Sequence, residues 1–314
     1  MKVIKPKRLK KGDLIGVISP ASSPSDLERI EKGVNYLEKL GYRVEVGKNV
    51  GKTHGYLAGT DDERLEDLHS MFRNKDVKAI FNVRGGYGTG RLLNRINYGL
   101  IKKNPKIFVG YSDITALQLA FLKKTGLVTF AGPMVAVDFA ADKVDPFTEE
   151  VFWKTITSSR KIGKISNPDN EKFYTLTKGR GEGSLIGGNL ALIISLMGTD
   201  YQPNFNNSIL LFEDIGEEPY RIDRMFYQLK HAKAFSKAKG IVLGRFVDCY
   251  IKDKSQPSLT LNDVISDYFS DLKIPVIYNV KHGHIKKNIT IPWGLKTKIN
   301  SSRCFIEVME SAVT

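Results

Sequence analysis

The chain has 314 residues, 41% of them hydrophobic and 26% charged, ordinary globular values that exclude disorder, collagen and coiled coil. That length predicts about two domains with cores large enough to need no staple. Lys and Arg number 48 against 34 Asp and Glu, a formal net charge of +14, which points to an anionic partner: nucleic acid, a membrane surface or an acidic substrate.

Cys249 and Cys304 are the only cysteines, too few for a disulfide framework and suited to a reducing compartment. The basic start MKVIKPKRLKKGD imitates the charged part of a secretion signal, but the apolar run after it is closed by Pro20 and is too short for the next part. No run approaches the roughly 18 apolar residues of a membrane span. The expected location is the cytoplasm, with no membrane partner.

In chain order, residues 14–19 form a short apolar run ending in Pro-Ala-Ser-Ser-Pro, which predicts a buried strand feeding a loop. Ser25 or Asp26 then caps a helix through Leu40, because Leu27, Ile30, Val34 and Leu37 recur near the helical period. Gly41 stops it, and residues 42–46 alternate as a strand. Residues 61–74 are amphipathic, 77–83 strand-like, 91–100 helical, 106–110 a strand and 113–124 a helix. Strict alternation of strand and helix predicts a parallel sheet covered on both faces. The character changes after about residue 145. Residues 158–171 are polar and read as a linker. Strands follow at 174–178 and 181–186, a helix at 189–197, a strongly apolar stretch at 208–212, a helix at 220–235, and strands at 240–246 and 274–280. The tail alternates at 296–300 and 304–308. Short strands with few helices predict a second domain of mixed β character, giving domains at 1–157 and 173–314 joined by a linker at 158–172.

Gly47 to Thr53 tempts a phosphate-loop reading, but only three residues separate Gly47 from Gly51 where wrapping a phosphate needs four. Arg84-Gly-Gly-Tyr-Gly-Thr-Gly-Arg91 follows a strand and opens a helix; Arg91 stands where a dinucleotide fingerprint needs its third glycine. Glycines at a strand's carboxyl end expose N–H groups where ligands bind open α/β sheets. An oxyanion or carboxylate loop and a plain tight turn both fit. Gly110-Tyr-Ser112-Asp-Ile114 places Ser112 on a sharp strand-to-helix turn, as in a nucleophile elbow, with Ile114 where the hydrolase pattern has glycine. Ser112 or Asp113 serving simply as an N-cap is the even alternative.

A nucleophilic serine needs a base and an orienting acid, usually distant in sequence. His54, His69 and His231 lie in polar or helical contexts, whereas His282-Gly283-His284 forms a loop at a strand end. Two histidines so spaced could bind a metal, but no third and fourth ligands with zinc spacing accompany them. Glu213 and Asp214 stand where the apolar run 208–212 emerges, with Glu217 and Glu218 close behind.

The ordered set of segments strongly resembles the LD-carboxypeptidase family of serine peptidases over residues 11–310. It is carried by Ile18-Ser-Pro-Ala21, Arg84-Gly-Gly-Tyr-Gly88, Gly110-Tyr-Ser-Asp-Ile-Thr115, Gly187-Gly-Asn-Leu190, Glu213-Asp214 with Pro219-Tyr-Arg-Ile-Asp-Arg224, and Gly283-His284 with Pro292-Trp-Gly294. The resemblance implies a Ser–His–Glu triad of Ser112 as nucleophile, His284 as general base and Glu213 as orienting acid, with Glu217 the rival acid. It implies an oxyanion hole from the backbone N–H groups of Gly86 and Asp113, with Arg84 available for a substrate carboxylate. The implied fold is α/β, a flavodoxin-like (class I amidotransferase-like) parallel-sheet N-terminal domain plus a smaller β-rich C-terminal domain that carries Glu213 and His284.

The expected activity is therefore that of a serine carboxypeptidase cleaving an L,D amide bond, with terminal D-Ala released from a murein tetrapeptide in cell-wall recycling. The alternative within the family is a microcin C immunity-type peptidase acting on an aminoacyl-nucleotide peptide. Outside it, the alternative is a non-enzymatic binder of anions or nucleic acid. The basic residues are scattered at 5–11, 102–106, 230–239 and 281–287, and no nucleic-acid motif accompanies them, so no nucleic-acid partner is expected. The resemblance further implies a homodimer and a small peptide substrate, with no cofactor and no metal.

Overall fold

Five apolar segments between residues 14 and 131 each alternate with a helix, a connection that forces neighbouring strands to run parallel. The computed structural model describes residues 3–253, 255 and 257–314, and the chain divides into two compact units. The first takes the chain through Arg160 together with Ile289–Gly294 and Ser311–Thr314. Its sheet runs Ile291–Trp293, Thr129–Ala131, Ile107–Gly110, Val77–Asn82, Leu14–Ile18, Arg43–Val46. The last five are parallel, in the order 2-1-3-4-5 of the doubly wound fold, whose ligands bind at the strands' carboxyl ends.

Local chemistry explains the helices. Thr60 and Glu63 form a reciprocal capping box that opens Asp61–Arg73. Asp145 caps Pro146–Thr157, whose first-turn proline has no N–H to satisfy. Helix Thr115–Thr125 is buried on almost every side and ends at Gly126, left-handed at φ 81°. From it, Gln118 Nε2 donates 2.8 Å bonds to the carbonyls of Gly110 and Phe130, while its Oε1 accepts the indole N–H of the fully buried Trp293 at 3.1 Å. That network fixes the end of the strand leading into residue 112.

The second unit, Lys161–Asn288 with Leu295–Glu310, holds an eight-stranded sheet ordered Gly163–Ile165, Phe305–Val308, Lys296–Asn300, Arg180–Asn189, Ser208–Ile215, Gly240–Val247, Val276–Tyr278, Tyr174–Thr177. Its central strands from Arg180–Asn189 to Val276–Tyr278 are parallel, and the flanking ones antiparallel. Helices Leu190–Ser195, Pro219–His231, Ala234–Lys237 and Leu261–Phe269 follow them. Phe226 packs edge-on against Phe212, Phe235 and Phe269, an arrangement that aromatic quadrupoles favour.

Three sequence expectations need correcting. Residues 91–100 are a 3-10 turn, Thr89–Arg95, followed by the short helix Tyr98–Lys103; Asn97 caps the latter by accepting from the Leu100 N–H and so restarts the helix. The span 158–172 is not a linker: Gly163–Ile165 pairs with Phe305–Val308, and buried Asn167 bonds the Asn279 carbonyl and the Lys281 N–H. Its polarity is that of a half-exposed edge strand. The second domain is not the continuous 173–314, because residues 289–294 add an antiparallel strand to the first sheet and bury Ile291 and Trp293 in it.

Candidate active site

Ser112 stands at the carboxyl end of strand Ile107–Gly110. Tyr111 is still extended, and Ser112 then turns left-handed at φ 63° before the chain enters a 3-10 turn and helix Thr115–Thr125. A non-glycine residue held there stores about 1–3 kcal/mol of strain and persists only where its surroundings over-determine it. The caps of the two helical segments are Tyr111 and Ile114, so Ser112 is not serving as an N-cap. Its half-buried side chain stands on the kind of turn that presents a nucleophile.

The glycine loop lies against it. A Cβ on Gly85 would sit 2.8 Å from Ser112 Cβ and 3.3 Å from the Asp113 nitrogen, so only glycine fits beside the serine. Gly86 is exposed with φ 112°, and a Cβ there would strike Ser22 Oγ. Ser22 clamps the loop: its hydroxyl donates to the Tyr56 carbonyl at 2.6 Å and accepts from the Tyr87 N–H at 3.1 Å. Asp113 is buried and ties the other end, its carboxylate accepting from the Thr89 N–H at 2.9 Å and its carbonyl from the Thr89 hydroxyl at 2.7 Å. Burial raises its pKa, against the loop N–H bonds that lower it. Beneath lies fully buried Arg64, which donates to the carbonyls of Pro20 and Gly88 and pairs with Asp61 at 2.6 Å. Arg91 grips the same carboxylate through Nε and Nη2 at 3.0 and 3.1 Å. The Arg91 bonds, and then those of Arg64, hold Asp61 below the usual carboxylate range. Arg84 is half-buried at the start of this loop.

In the second unit, strand Ser208–Ile215 alternates its side chains between the sheet faces, so consecutive carboxylates take different work. Glu213, 1% exposed, places Oε2 2.8 Å from His284 Nδ1. Gly283 makes room for the contact: at φ 127°, a Cβ there would lie 2.8 Å from Glu213 Oε2. Asp214 turns away and accepts from the N–H groups of Ala191 and Ile215 and from Asn189 Nδ2 at 2.8–3.0 Å. Burial, with the neighbouring Glu213 charge, pushes its pKa up to about 7. Glu217 lies 3.8 Å from Arg221; it is Glu213 that His284 meets.

Each unit holds groups of the kind that acyl-transfer chemistry uses. A carboxylate on Nδ1 of an imidazole fixes the tautomer that leaves Nε2 to take a proton, and a strained serine beside loop N–H groups presents a hydroxyl next to oxyanion donors. Burial pushes the Cys249 thiol up to about 12, which disfavours a thiolate nucleophile. Among the described residues, no group of three or more His, Cys, Asp and Glu is placed to hold a metal ion, and no helix is long and apolar enough to cross a membrane. Of the residues expected from sequence, Ser112, Asp113, Gly86 and Arg84 belong to the first unit, and Glu213 and His284 meet in the second. Ser22, Thr89, Asp61 and Arg64 were not foreseen. Ser22 sits in the loop after the first strand, a signal that could have found it; Arg64 reads in sequence as one more polar-face residue.

The model of the LD-carboxypeptidase N-terminal domain matches residues 15–132, and that of the LD-carboxypeptidase C-terminal domain matches residues 182–299. A Bacillus subtilis protein described as "Probable murein peptide carboxypeptidase" is 43% identical, over 95% of this chain and 92% of its own. The murein tetrapeptide carboxypeptidase of Pseudomonas aeruginosa is 31% identical, over 92% and 94%. Among solved structures, an inactive mutant of the microcin C7 self-immunity protein superposes with a TM-score of 0.89 at 29% identity, over 99% of both chains. The same protein in complex with aspartyl sulfamoyl adenosine scores 0.87 at 29% identity, over 99% of this chain and 100% of that one.

Proposed function

From the premise that the chain belongs to the LD-carboxypeptidase family and is a serine-type carboxypeptidase, we propose that it releases terminal D-Ala from murein tetrapeptide in the cytoplasm, as a step of cell-wall recycling. The contact of buried Glu213 with half-buried His284 at 2.8 Å carries this reading. Glu213 accepts from His284 Nδ1–H, leaving Nε2 to take the Ser112 proton as Oγ attacks the L,D amide carbonyl. The N–H groups of Gly86 and Asp113 receive the oxyanion, and Arg84 holds the terminal carboxylate. His284 returns its proton to the D-Ala amine as the C–N bond breaks. Water, deprotonated by His284, then attacks the acyl-Ser112 ester and frees the tripeptide.

The +14 charge fits attraction of an anionic cell-wall peptide. The family resemblance also leads us to propose a homodimer. A second reading, hydrolysis of an aminoacyl-nucleotide peptide, is supported by the likeness to the microcin C7 self-immunity protein; the more identical relative described as a murein peptide carboxypeptidase favours the first. Incubating the protein with each substrate in turn tests both. D-Ala release from the tetrapeptide, lost in Ser112→Ala, is expected. Turnover of the nucleotide conjugate alone refutes the substrate, and full activity of Ser112→Ala refutes the mechanism.

A further inference from the structure

Gly163–Ile165 and Tyr174–Thr177 are the two edges of the second unit's sheet, although they follow one another in the chain. In a flat sheet of that order, five strand spacings of about 4.8 Å would separate Tyr174–Thr177 from Lys296–Asn300. Instead the hydroxyl of Ser301, directly after the latter strand, donates to the Thr177 carbonyl at 2.7 Å, and the Ser301 carbonyl accepts from the Thr175 hydroxyl at 2.5 Å. The sheet is therefore rolled, and residues 166–173 join its edges. This connection and the turn at 303–305 line a cavity of about 480 Å³, within the range that small ligands occupy. Its walls are built. Asn167, 6% exposed, donates to the Asn279 carbonyl at 2.7 Å and accepts from the Lys281 N–H at 2.9 Å. Cys304 is held left-handed at φ 46° as its N–H closes the turn onto the Ser301 carbonyl, a strained conformation of the kind that gathers at ligand sites.

The uncompensated charge on those walls has one sign. Lys164, Lys172 and Arg303 line the cavity, and the acids close by hold other cations. Glu171, the acid in the lining, lies 2.7 Å from Lys281 Nζ, Asp169 pairs with Lys287, and Glu307 lies 2.6 Å from Lys161. Among the described residues, no ion pair joins Lys164, Lys172 or Arg303 to a carboxylate. Lys164 lies over the Phe305 ring, 5.4 Å from its centroid, a contact that leaves the ammonium charge in place. Like charges gathered round one cavity repel, and an anion between them relieves the repulsion. An arginine fork suits a phosphate or carboxylate, while lysines give point charges to further oxygens. One monovalent ion would fill little of this volume and answer one charge of three. Buried Ile165 and Phe173 in the lining offer apolar surface to a carbon skeleton. We propose that this cavity binds a small organic polyanion through its phosphate or carboxylate groups, at a place that shares no residue with Ser112, Glu213 or His284.

The exposed Cys304 thiol in the lining serves as a reporter, and buried Cys249 as the internal control. Alkylation of each is followed by peptide mass spectrometry at constant ionic strength, with anionic iodoacetate and with neutral iodoacetamide. Citrate or inorganic pyrophosphate at low millimolar concentration is expected to slow both reagents at Cys304 by about threefold or more. Arg303→Gln or Lys172→Gln is expected to lower the ratio of the iodoacetate rate to the iodoacetamide rate by a similar factor. Both side chains are exposed, so these variants should melt with the wild-type chain. Protection no greater than that given by potassium chloride of equal ionic strength overturns the proposal; so does a rate ratio that both variants leave unmoved. Calorimetry with the same two anions needs no thiol. The wild-type Kd is expected at about 1 mM or tighter, weakened about tenfold in the Lys172→Gln/Arg303→Gln double variant. Tighter binding of pyrophosphate assigns the cavity to phosphate groups, tighter binding of citrate to carboxylates. An affinity that the double variant keeps places the anion elsewhere and overturns the assignment.

Discussion

Gly85→Ala is the most direct probe of how the glycine loop serves Ser112. The backbone of Gly85 is one that alanine can adopt, so the effect is steric alone. The new methyl would stand 2.8 Å from Ser112 Cβ and 3.0 Å from Oγ, roughly 0.7 Å inside an ordinary carbon–carbon contact of about 3.5 Å. Either the serine or the loop must give way. A misplacement of about 1 Å at a reacting group costs on the order of a hundredfold in rate, so kcat is expected to fall by roughly ten- to a hundredfold. Overpacking of this kind costs about 1–3 kcal/mol, a fall in Tm of roughly 2–10 °C for a chain of this size. The control is Gly90→Ala, where a Cβ meets nothing within 4 Å; it should leave rate and melting unchanged. Steady-state D-Ala release and a thermal melt check both variants. A Gly85→Ala enzyme with kcat within twofold of wild type and an unchanged Tm would falsify the steric argument.

Other substitutions separate the remaining parts. Glu213→Gln keeps shape but removes the charge 2.8 Å from His284 Nδ1; by analogy with the aspartate of serine-protease triads, kcat should fall about a thousand- to ten-thousand-fold, and a loss under tenfold would move the acid elsewhere. Arg64→Met leaves Asp61 and two loop carbonyls without a buried partner and should cost about 3–5 kcal/mol in chemical denaturation; a cost below 1 kcal/mol would refute its bracing role. Asp214 gives a pH signature. With its pKa pushed up from 3.8 to about 7, the folded chain holds a proton that the unfolded chain releases, so stability falls as pH rises through that window, by up to about 4 kcal/mol in all. Asp214→Asn cannot ionise, and its deficit against wild type should shrink between pH 5 and pH 8; urea melts showing a constant deficit would contradict this.

The parallel sheet of the first unit is legible because its buried strands are short, mainly apolar runs that alternate with helical segments. Ser112 is legible as a strand-to-helix turn, although Ile114 breaks the hydrolase pattern, because strand ending and helix onset lie within a few residues of each other. Which glutamate meets His284 is not. Glu213 and Glu217 stand four residues apart on similar sequence, and only the partner from residue 284 tells them apart. Arg64 is hidden for the same reason, since its buried carbonyl partners at Pro20 and Gly88 come from two other loops. The edge strand Gly163–Ile165 passes as a linker because pairing on one side alone leaves half its residues facing water.

Strand Ile291–Trp293 completes the first sheet from the far end of the chain. During synthesis, almost three hundred residues must emerge before Thr129–Ala131 gains this neighbour and Gln118 meets the Trp293 indole. Until then the nascent sheet ends in an open apolar edge, the kind that invites pairing with a second chain. A fragment ending near residue 160 inherits that edge permanently. Expression of the first unit alone should therefore yield aggregates, and appending residues 289–294 through a short flexible linker should restore solubility.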